Sequence, residues 1–242
     1  MKKFFIIANR IKDPDLMIAG KIKDKIEQLG GECVIQHLAH ADGEGGYKYT
    51  DPAQVPGDVD CVLVLGGDGT VLQASRDLVK RNIPLFGINL GTLGYLAEIG
   101  KEDVEQALGK LTADEYLLEK RMMLEGNVFR SGKQAISDVA LNDIVISRSG
   151  KLRVMDYHIF VNGRFLNSYS ADGIIISTPT GSTGYNLSAG GPIVSPSASM
   201  ILITPIAPHT LTARSVILPD DVTVKIEIGE RAGNAESAEA TF

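Results

Sequence analysis

Asp68 is the one charged side chain in a stretch otherwise suited to receiving negative charge. It lies in Cys61-Val-Leu-Val-Leu-Gly-Gly-Asp-Gly-Thr-Val-Leu-Gln-Ala74, an apolar run that meets three glycines, a carboxylate and a threonine before a helical pattern begins. Val62 to Leu65 reads as a strand buried on both faces, as at the centre of a parallel sheet. Gly66, Gly67 and Gly69 predict backbone angles closed to other residues, and room for a ligand against the main chain. Thr70 is expected to cap the helix, whose free N–H groups and dipole make an anion site. Beside a bound anion a carboxylate in that position is costly through like-charge repulsion, unless it serves a metal-bound phosphate or takes a proton from an attacking hydroxyl. The alternative is a tight strand-to-helix turn that Asp68 merely organises.

Three further groups of residues could do chemistry. Asn89-Leu-Gly-Thr-Leu-Gly-Tyr-Leu96 also follows an apolar strand, and is expected beside the first motif at the carboxyl edge of one sheet; it also reads as an ordinary strand-exit turn. Asp172 precedes a strand and then a loop, Thr178-Pro-Thr-Gly-Ser-Thr-Gly-Tyr-Asn-Leu-Ser188, rich in hydroxyls and glycine. Such a loop suits a ribose and a base edge, or is a hydroxyl-rich surface loop. Asn142-Asp143 interrupts the apolar strand Val139 to Ser147, and two adjacent polar residues there cannot both face the core. No Gly-x-x-x-x-Gly-Lys-Ser/Thr run and no helix-opening Gly-x-Gly-x-x-Gly occurs, so neither a Walker phosphate loop nor a dehydrogenase fingerprint is present.

These residues need elements to hold them. The first hundred residues alternate strand and helix: a strand at Phe4–Ala8, a helix at Asp15–Leu29 with Ala19, Ile22, Ile26 and Leu29 on one face, and a strand at Cys33–Leu38. The motif strand and helix follow, then a strand at Ile83–Asn89, with His40 to Asp58 read as a mobile loop near the site. This order predicts a parallel, doubly wound sheet with ligands at the carboxyl ends of its strands. After a helical stretch at Glu102–Leu108, strands dominate: Arg121–Phe129, Ala135–Arg148, Tyr157–Val161, Arg164–Tyr169, Ile174–Ser177, Ile201–Thr204 and Val222–Ile228. Asn162-Gly163 predicts a two-residue hairpin, Ser131-Gly132-Lys133 a three-residue one, and the tail from Gly229 a loop rather than a closing strand. The fold class is therefore an α/β N-terminal domain over residues 1–99 and a mostly β domain over 100–242.

Composition limits the classes of function. With 44% hydrophobic and 22% charged residues the chain is a globular protein with ample core. A net charge of −6 argues against a general nucleic-acid surface. No apolar run spans a bilayer and Met1 to Ala8 is too short for a signal peptide, so no membrane partner and a cytoplasmic location are expected. Cys33 and Cys61 fit no metal spacing and read as small buried hydrophobes.

Taken in order, Gly66-Gly-Asp-Gly-Thr70, Asn89-Leu-Gly-Thr-Leu-Gly-Tyr95, Leu141-Asn-Asp143, Asp172-Gly173, Thr178-Pro-Thr-Gly-Ser-Thr-Gly-Tyr-Asn186 and Pro205-Ile-Ala-Pro-His209 resemble the motifs of NAD kinases over almost the whole chain. Gly-Gly-Asp-Gly alone is shared with diacylglycerol, sphingosine and 6-phosphofructo-kinases; the Asn-Asp pair and the hydroxyl-rich loop make the resemblance specific. It implies transfer of the terminal phosphate of ATP, or of polyphosphate, to the adenosine-ribose 2′-hydroxyl of NAD. Asp68 would be the proton acceptor and Gly69 the adjoining backbone contact. Asn142 and Asp143 would hold the adenine-ribose side, and Asp172 the nicotinamide end. Thr183, Gly184, Tyr185, Asn186, Leu187 and Ser188 would surround the bases, with Ala207 nearby and Arg153 as a basic ligand contact. Relatives usually have Glu where this chain has Asp143, and a basic residue where it has Ser170. They often continue past Phe242 into an Asp-Gly-containing strand, so the chain is expected to be shortened or incompletely represented there.

With no Walker lysine, Mg²⁺ or Mn²⁺ delivered with ATP is expected to neutralise the phosphates. NAD and ATP are the implied small-molecule partners, and a homo-oligomer, dimer or tetramer, is expected. Two rivals remain. A lipid kinase would need a large apolar cleft or membrane-facing patch, and the sequence offers no such stretch. A catalytically silent dinucleotide-binding regulator would have no use for Asp68.

Overall fold

The computed structural model describes residues 1–36, 50–91, 94–97, 99–149, 154–210, 212–229 and 238–242. They form two compact units, Met1–Leu118 and Glu119–Phe242. The division falls later than the boundary at residue 99 read from the sequence, because the helix Val104–Thr112 buries Val104, Leu108 and Leu111 in the core of the first unit.

The first unit is a four-stranded parallel sheet in the order β2-β1-β3-β4. Its strands are β1 (Lys3–Ala8), β2 (Glu32–Ile35), β3 (Cys61–Gly66) and β4 (Leu85–Asn89), and its helices α1 (Met17–Gln28), α2 (Asp68–Asp77) and α3 (Val104–Thr112). Side chains of a strand alternate between faces, and β1 shows why helices cover both. Phe4, Ile6 and Ala8 pack with Ala19, Ile22 and Ile26 of α1 and with Leu108 of α3. Phe5 and Ile7 pack with Val71 and Ala74 of α2. Every residue of β3 is buried, as its unbroken apolar run requires. Cys33 and Cys61 lie in the core, and burial pushes both thiols up to about 12. Of the loop predicted over His40–Asp58, residues 40–49 lie outside the described ones, and Pro52–Gln54 forms one 3₁₀ turn.

The second unit is antiparallel. Its strands are β5 (Leu124–Arg130), β6 (Lys133–Ala140), β7 (Asp143–Arg148), β8 (Met155–Val161), β9 (Arg164–Ala171), β10 (Gly173–Ser177), β11 (Met200–Ile206), β12 (Val216–Pro219), β13 (Val224–Ile228) and β14 (Ala238–Thr241), with one short helix, α4 (Tyr185–Ser188). A five-stranded sheet, β12-β11-β10-β7-β14, and a three-stranded sheet, β13-β8-β9, share one core that includes Ile144, Tyr157, Ile159, Ile174 and Ile203. The β5–β6 hairpin forms a sheet of its own.

Four expectations need correction. Ala135–Arg148 is two strands: the chain breaks at Leu141-Asn142, where it leaves the β5–β6 pair and enters the five-stranded sheet. The tail is not all loop, since Ala238–Thr241 closes the sheet against Val145–Arg148. Its alternation of Ala with Glu and Thr carries little apolar signal, as suits an edge strand. The first hairpin turn has two residues, Ser131 (φ 49°) and Gly132 (φ 74°), the same left-handed pair that Asn162 (φ 49°) and Gly163 (φ 78°) adopt in the second. Finally, β12 was not anticipated as a strand; it is short and lies at a sheet edge.

Candidate active site

The first cluster forms where β1, β3 and β4 end. Gly66, the last residue of β3, pairs with Asn89 of β4, and the Leu90 N–H donates to the Gly66 carbonyl at 2.8 Å, so the two glycine motifs lie side by side. The three motif glycines are not there for left-handed backbone, because none of them has a positive φ. Gly66 is required by contact: a Cβ there would lie 2.2 Å from Thr70 Oγ1. A Cβ on Gly69 would meet open space, at the first turn of α2. The helix starts at Asp68, earlier than the sequence implied, so Thr70 sits in the first turn, where its Oγ1 accepts from the Gly67 N–H at 3.5 Å.

Asp68 reaches across to the second motif. The Tyr95 N–H donates to its Oδ2 at 2.8 Å, and the Leu96 and Ala97 N–H groups donate to Oδ1 at 3.1 Å each. Gly94 is a glycine because this carboxylate lies against it; a Cβ would stand 2.2 Å from Oδ1. A carboxylate has roughly four lone-pair sites. Three are used here, so the site left open is on Oδ2. A cavity of about 420 Å³ opens beside it, lined by Asn9, Lys12, Gly67, Asp68, Gly69, Thr70 and Gly94. Asn9 and Lys12 come from the exit of β1, which the motifs did not mark. The signal available was topological, since ligands of parallel sheets gather at such exits. Thr92 and Leu93 lie outside the described residues.

The second cluster belongs to the other unit. The Asn142 carbonyl accepts from the Thr178 N–H at 2.8 Å and from Ser177 Oγ at 3.3 Å, and Gly181 fits against it so closely that a Cβ would sit 2.2 Å from that oxygen. This packing brings Asn142 Nδ2 and Asp143 Oδ2 to the face of Gly184, at 3.6 and 3.9 Å from its Cβ position. Burial pushes the Asp143 carboxyl above its ordinary range. Thr183 and Gly184 are half-buried there, and Tyr185, Leu187 and Ser188 are exposed.

Several hydroxyls of the loop face inward instead of toward a ligand. Thr178 Oγ1 donates to the Leu141 carbonyl at 2.6 Å, and Ser182 Oγ to that of Val194 at 3.3 Å. Asn186 is fully buried, and its side chain is committed to the loop. Its Nδ2 donates to the Ser182 and Pro192 carbonyls, and its Oδ1 accepts from Thr204 Oγ1. Thr180, which the motif reading passed over, is 8% exposed, and its hydroxyl has no hydrogen-bond partner among the described residues.

Asp172 and Ala207 do not join this cluster. They lie at the other end of β10, six positions before Thr178, which is about 20 Å along a strand. There the Asp172 N–H donates to the Ile206 carbonyl at 3.0 Å, Ala207 turns the chain with φ 45°, and Arg148 Nη2 pairs with Asp172 Oδ2 at 3.3 Å. Ser170, near the end of β9, donates its hydroxyl to Asp156 of the neighbouring β8. Arg153 lies outside the described residues.

Residues 21–116 match the ATP-NAD kinase N-terminal domain, and residues 141–238 the ATP-NAD kinase C-terminal domain. The NAD kinase of Lachnoclostridium phytofermentans is 51% identical over 232 residues, 95% of this chain and 80% of that protein. The NAD kinase of Lachnospira eligens is 47% identical over 235 residues, 97% of this chain and 80% of that one. The chain belongs to the NAD kinase family. Among solved structures, yeast NADH kinase complexed with NADH aligns with a TM-score of 0.78 at 27% identity, covering 95% of this chain and 72% of that one. An NAD kinase from Archaeoglobus fulgidus in complex with ATP has the same fold, with a TM-score of 0.74 at 22% identity over all of this chain and 90% of that one. Among the described residues no three His, Cys, Asp or Glu side chains come together to hold a metal.

Proposed function

We propose that this chain transfers the terminal phosphate of ATP, or of polyphosphate, to the 2′-hydroxyl of the adenosine ribose of NAD, giving NADP. The observation that carries the reading is Asp68: a carboxylate at a helix N-terminus, fixed by three amides, with one oxygen still able to accept a proton. As the bond from the ribose oxygen to the terminal phosphorus forms, the bond from that phosphorus to its bridging oxygen breaks and ADP leaves. The hydroxyl proton passes to Asp68 Oδ2. A ribose hydroxyl is a weak acid, so the acceptor helps only as the new bond forms.

The donor's outer phosphate oxygens are assigned to the Gly69 N–H at the start of α2, since the Thr70 and Val71 N–H groups already donate to the Gly67 carbonyl. Asp68 has both oxygens engaged and, among the described residues lining the cavity, no second carboxylate beside it, which does not suit a resident divalent ion. The donor therefore enters as its Mg²⁺ or Mn²⁺ complex. In the second unit, Asn142 Nδ2, Asp143 and the main chain around Gly184 are assigned to the adenine-ribose side, with Thr183, Tyr185, Leu187 and Ser188 around the bases and Thr180 offering its unused hydroxyl. Asn186 positions this loop. Asp172 and Ala207 are assigned to the nicotinamide end, where Arg148 supplies the positive charge that Ser170 does not; Arg153 is kept as a further basic contact. A homo-oligomer, dimer or tetramer, in the cytoplasm completes the reading.

The test is direct. Purified protein given NAD, ATP and Mg²⁺ should produce NADP, read by a dehydrogenase specific for NADP. No product under any donor, including polyphosphate, contradicts the proposal.

A further inference from the structure

Lys12 has no place in the motifs, yet its ammonium group lies over both glycine turns. Its Nζ stands 3.0 Å from the Cβ position of Gly67 and 3.0 Å from that of Gly91, residues from the exits of β3 and β4. A lysine on a solvated loop usually extends into water; here the stem folds back over the site. Among the described residues, Nζ makes no hydrogen bond or ion pair, although Asp68 lines the same cavity. That carboxylate instead accepts from three backbone N–H groups.

The segment presenting Lys12 is fastened at both ends. The Asn9 N–H donates to the Leu65 carbonyl at 2.8 Å, and Asn9 Nδ2 to Thr70 Oγ1 at 3.2 Å, tying the loop to β3 and α2. The Lys12 and Asp13 N–H groups both donate to the Asn9 carbonyl. Asp13, 3% exposed, accepts from the Ile18 and Ala19 N–H groups and so anchors the loop to the start of α1. A cation is thus placed beside the Gly67 turn that leads into α2, and the glycines at 67 and 91 leave the space it fills.

We propose that Lys12 binds the terminal phosphates of the donor, the part a Walker lysine plays in other phosphotransferases, so that the donor's charge is met by a protein cation as well as by the metal it brings. This rests on the assignment of the donor to this cavity. A lysine recognises phosphate and not the base, so the contact serves ATP and polyphosphate alike.

The experiment compares wild type, Lys12→Met, Lys12→Arg and Gly91→Ala. Donor KM is measured at saturating NAD with ATP–Mg²⁺ and with polyphosphate, and calorimetric titrations use a non-hydrolysable ATP analogue and NAD separately. Losing one charge-assisted contact should raise the donor KM and weaken the analogue about 10- to 100-fold in Lys12→Met. NAD affinity and melting temperature should stay at wild-type values. Lys12→Arg should recover most of the loss, and Gly91→Ala, whose new methyl displaces the ammonium, should show a smaller donor defect. A Lys12→Met variant with unchanged donor KM and analogue affinity overturns the proposal. Equal losses for analogue and NAD also overturn it, since the lysine would then only support the fold. Should wild type make no NADP, the proposed function fails, and the analogue titration still decides the role of Lys12.

Discussion

At the scale of single residues, Asp68→Asn is less conservative than its shape suggests. The amide NH₂ would face backbone N–H groups that now donate to a carboxylate oxygen, so the variant loses the proton acceptor and also part of the clamp on Tyr95–Ala97. We expect turnover to fall by about 10²–10⁴, with NAD affinity within a few-fold of wild type and faster amide exchange at residues 95–97. Turnover near the wild-type value would remove Asp68 from the chemistry. Asp143 offers a test of a different kind. Burial raises its carboxyl in the folded chain, so the native state holds that proton more tightly than the unfolded one does. The penalty is absent below the ordinary carboxylate range and grows as pH rises from there through the elevated folded value. Asp143→Asn should therefore melt higher than wild type at pH 7, lose that advantage near pH 3, and bind NAD about 10-fold more weakly for want of a charged acceptor. Thermal melts at both pH values with one NAD titration check all three.

At the scale of elements, the legible parts were those where burial dictates residue type. The apolar run before Gly66 could only be a central strand, and Asn162-Gly163 could only be a tight hairpin turn, because each is set by its own residues. What escaped depends on partners distant in sequence. The break at Leu141-Asn142 exists because β6 and β7 pair with different strands, and β14 exists because β7 had a free edge. The hydroxyl-rich loop was legible as a site, but which hydroxyls turn inward is decided by carbonyls at 141 and 194. Likewise the first glycine motif was read as a device for unusual backbone angles, whereas its first glycine answers to a threonine in the next helical turn. Gly66→Ala tests that: with Thr70 Oγ1 at 2.2 Å from the new methyl, β3 and α2 must part. Denaturant unfolding should show a loss of about 1–3 kcal/mol, typical of overpacking. Unchanged stability would mean that this turn is looser than its geometry.

At the scale of the whole molecule, the proposed donor and acceptor residues belong to different units, each with its own core. No helix among the described residues is long and apolar enough to cross a membrane, and the described lining of the Asp68 cavity, three glycines and four polar residues, offers no apolar acyl surface. The family's Gly-Gly-Asp-Gly relatives that phosphorylate lipids would need one. The measurement that bears most directly on the central claim follows the phosphate itself: protein, NAD and ATP labelled in its terminal phosphate, with Mg²⁺ and with Mg²⁺ removed by excess chelator, and diacylglycerol or sphingosine as competing acceptors. Label is expected in the 2′-phosphate of NADP, one for each ADP formed, none with chelator, and none on lipid. Label released only as inorganic phosphate, label on the lipid, or undiminished transfer in chelator would contradict it.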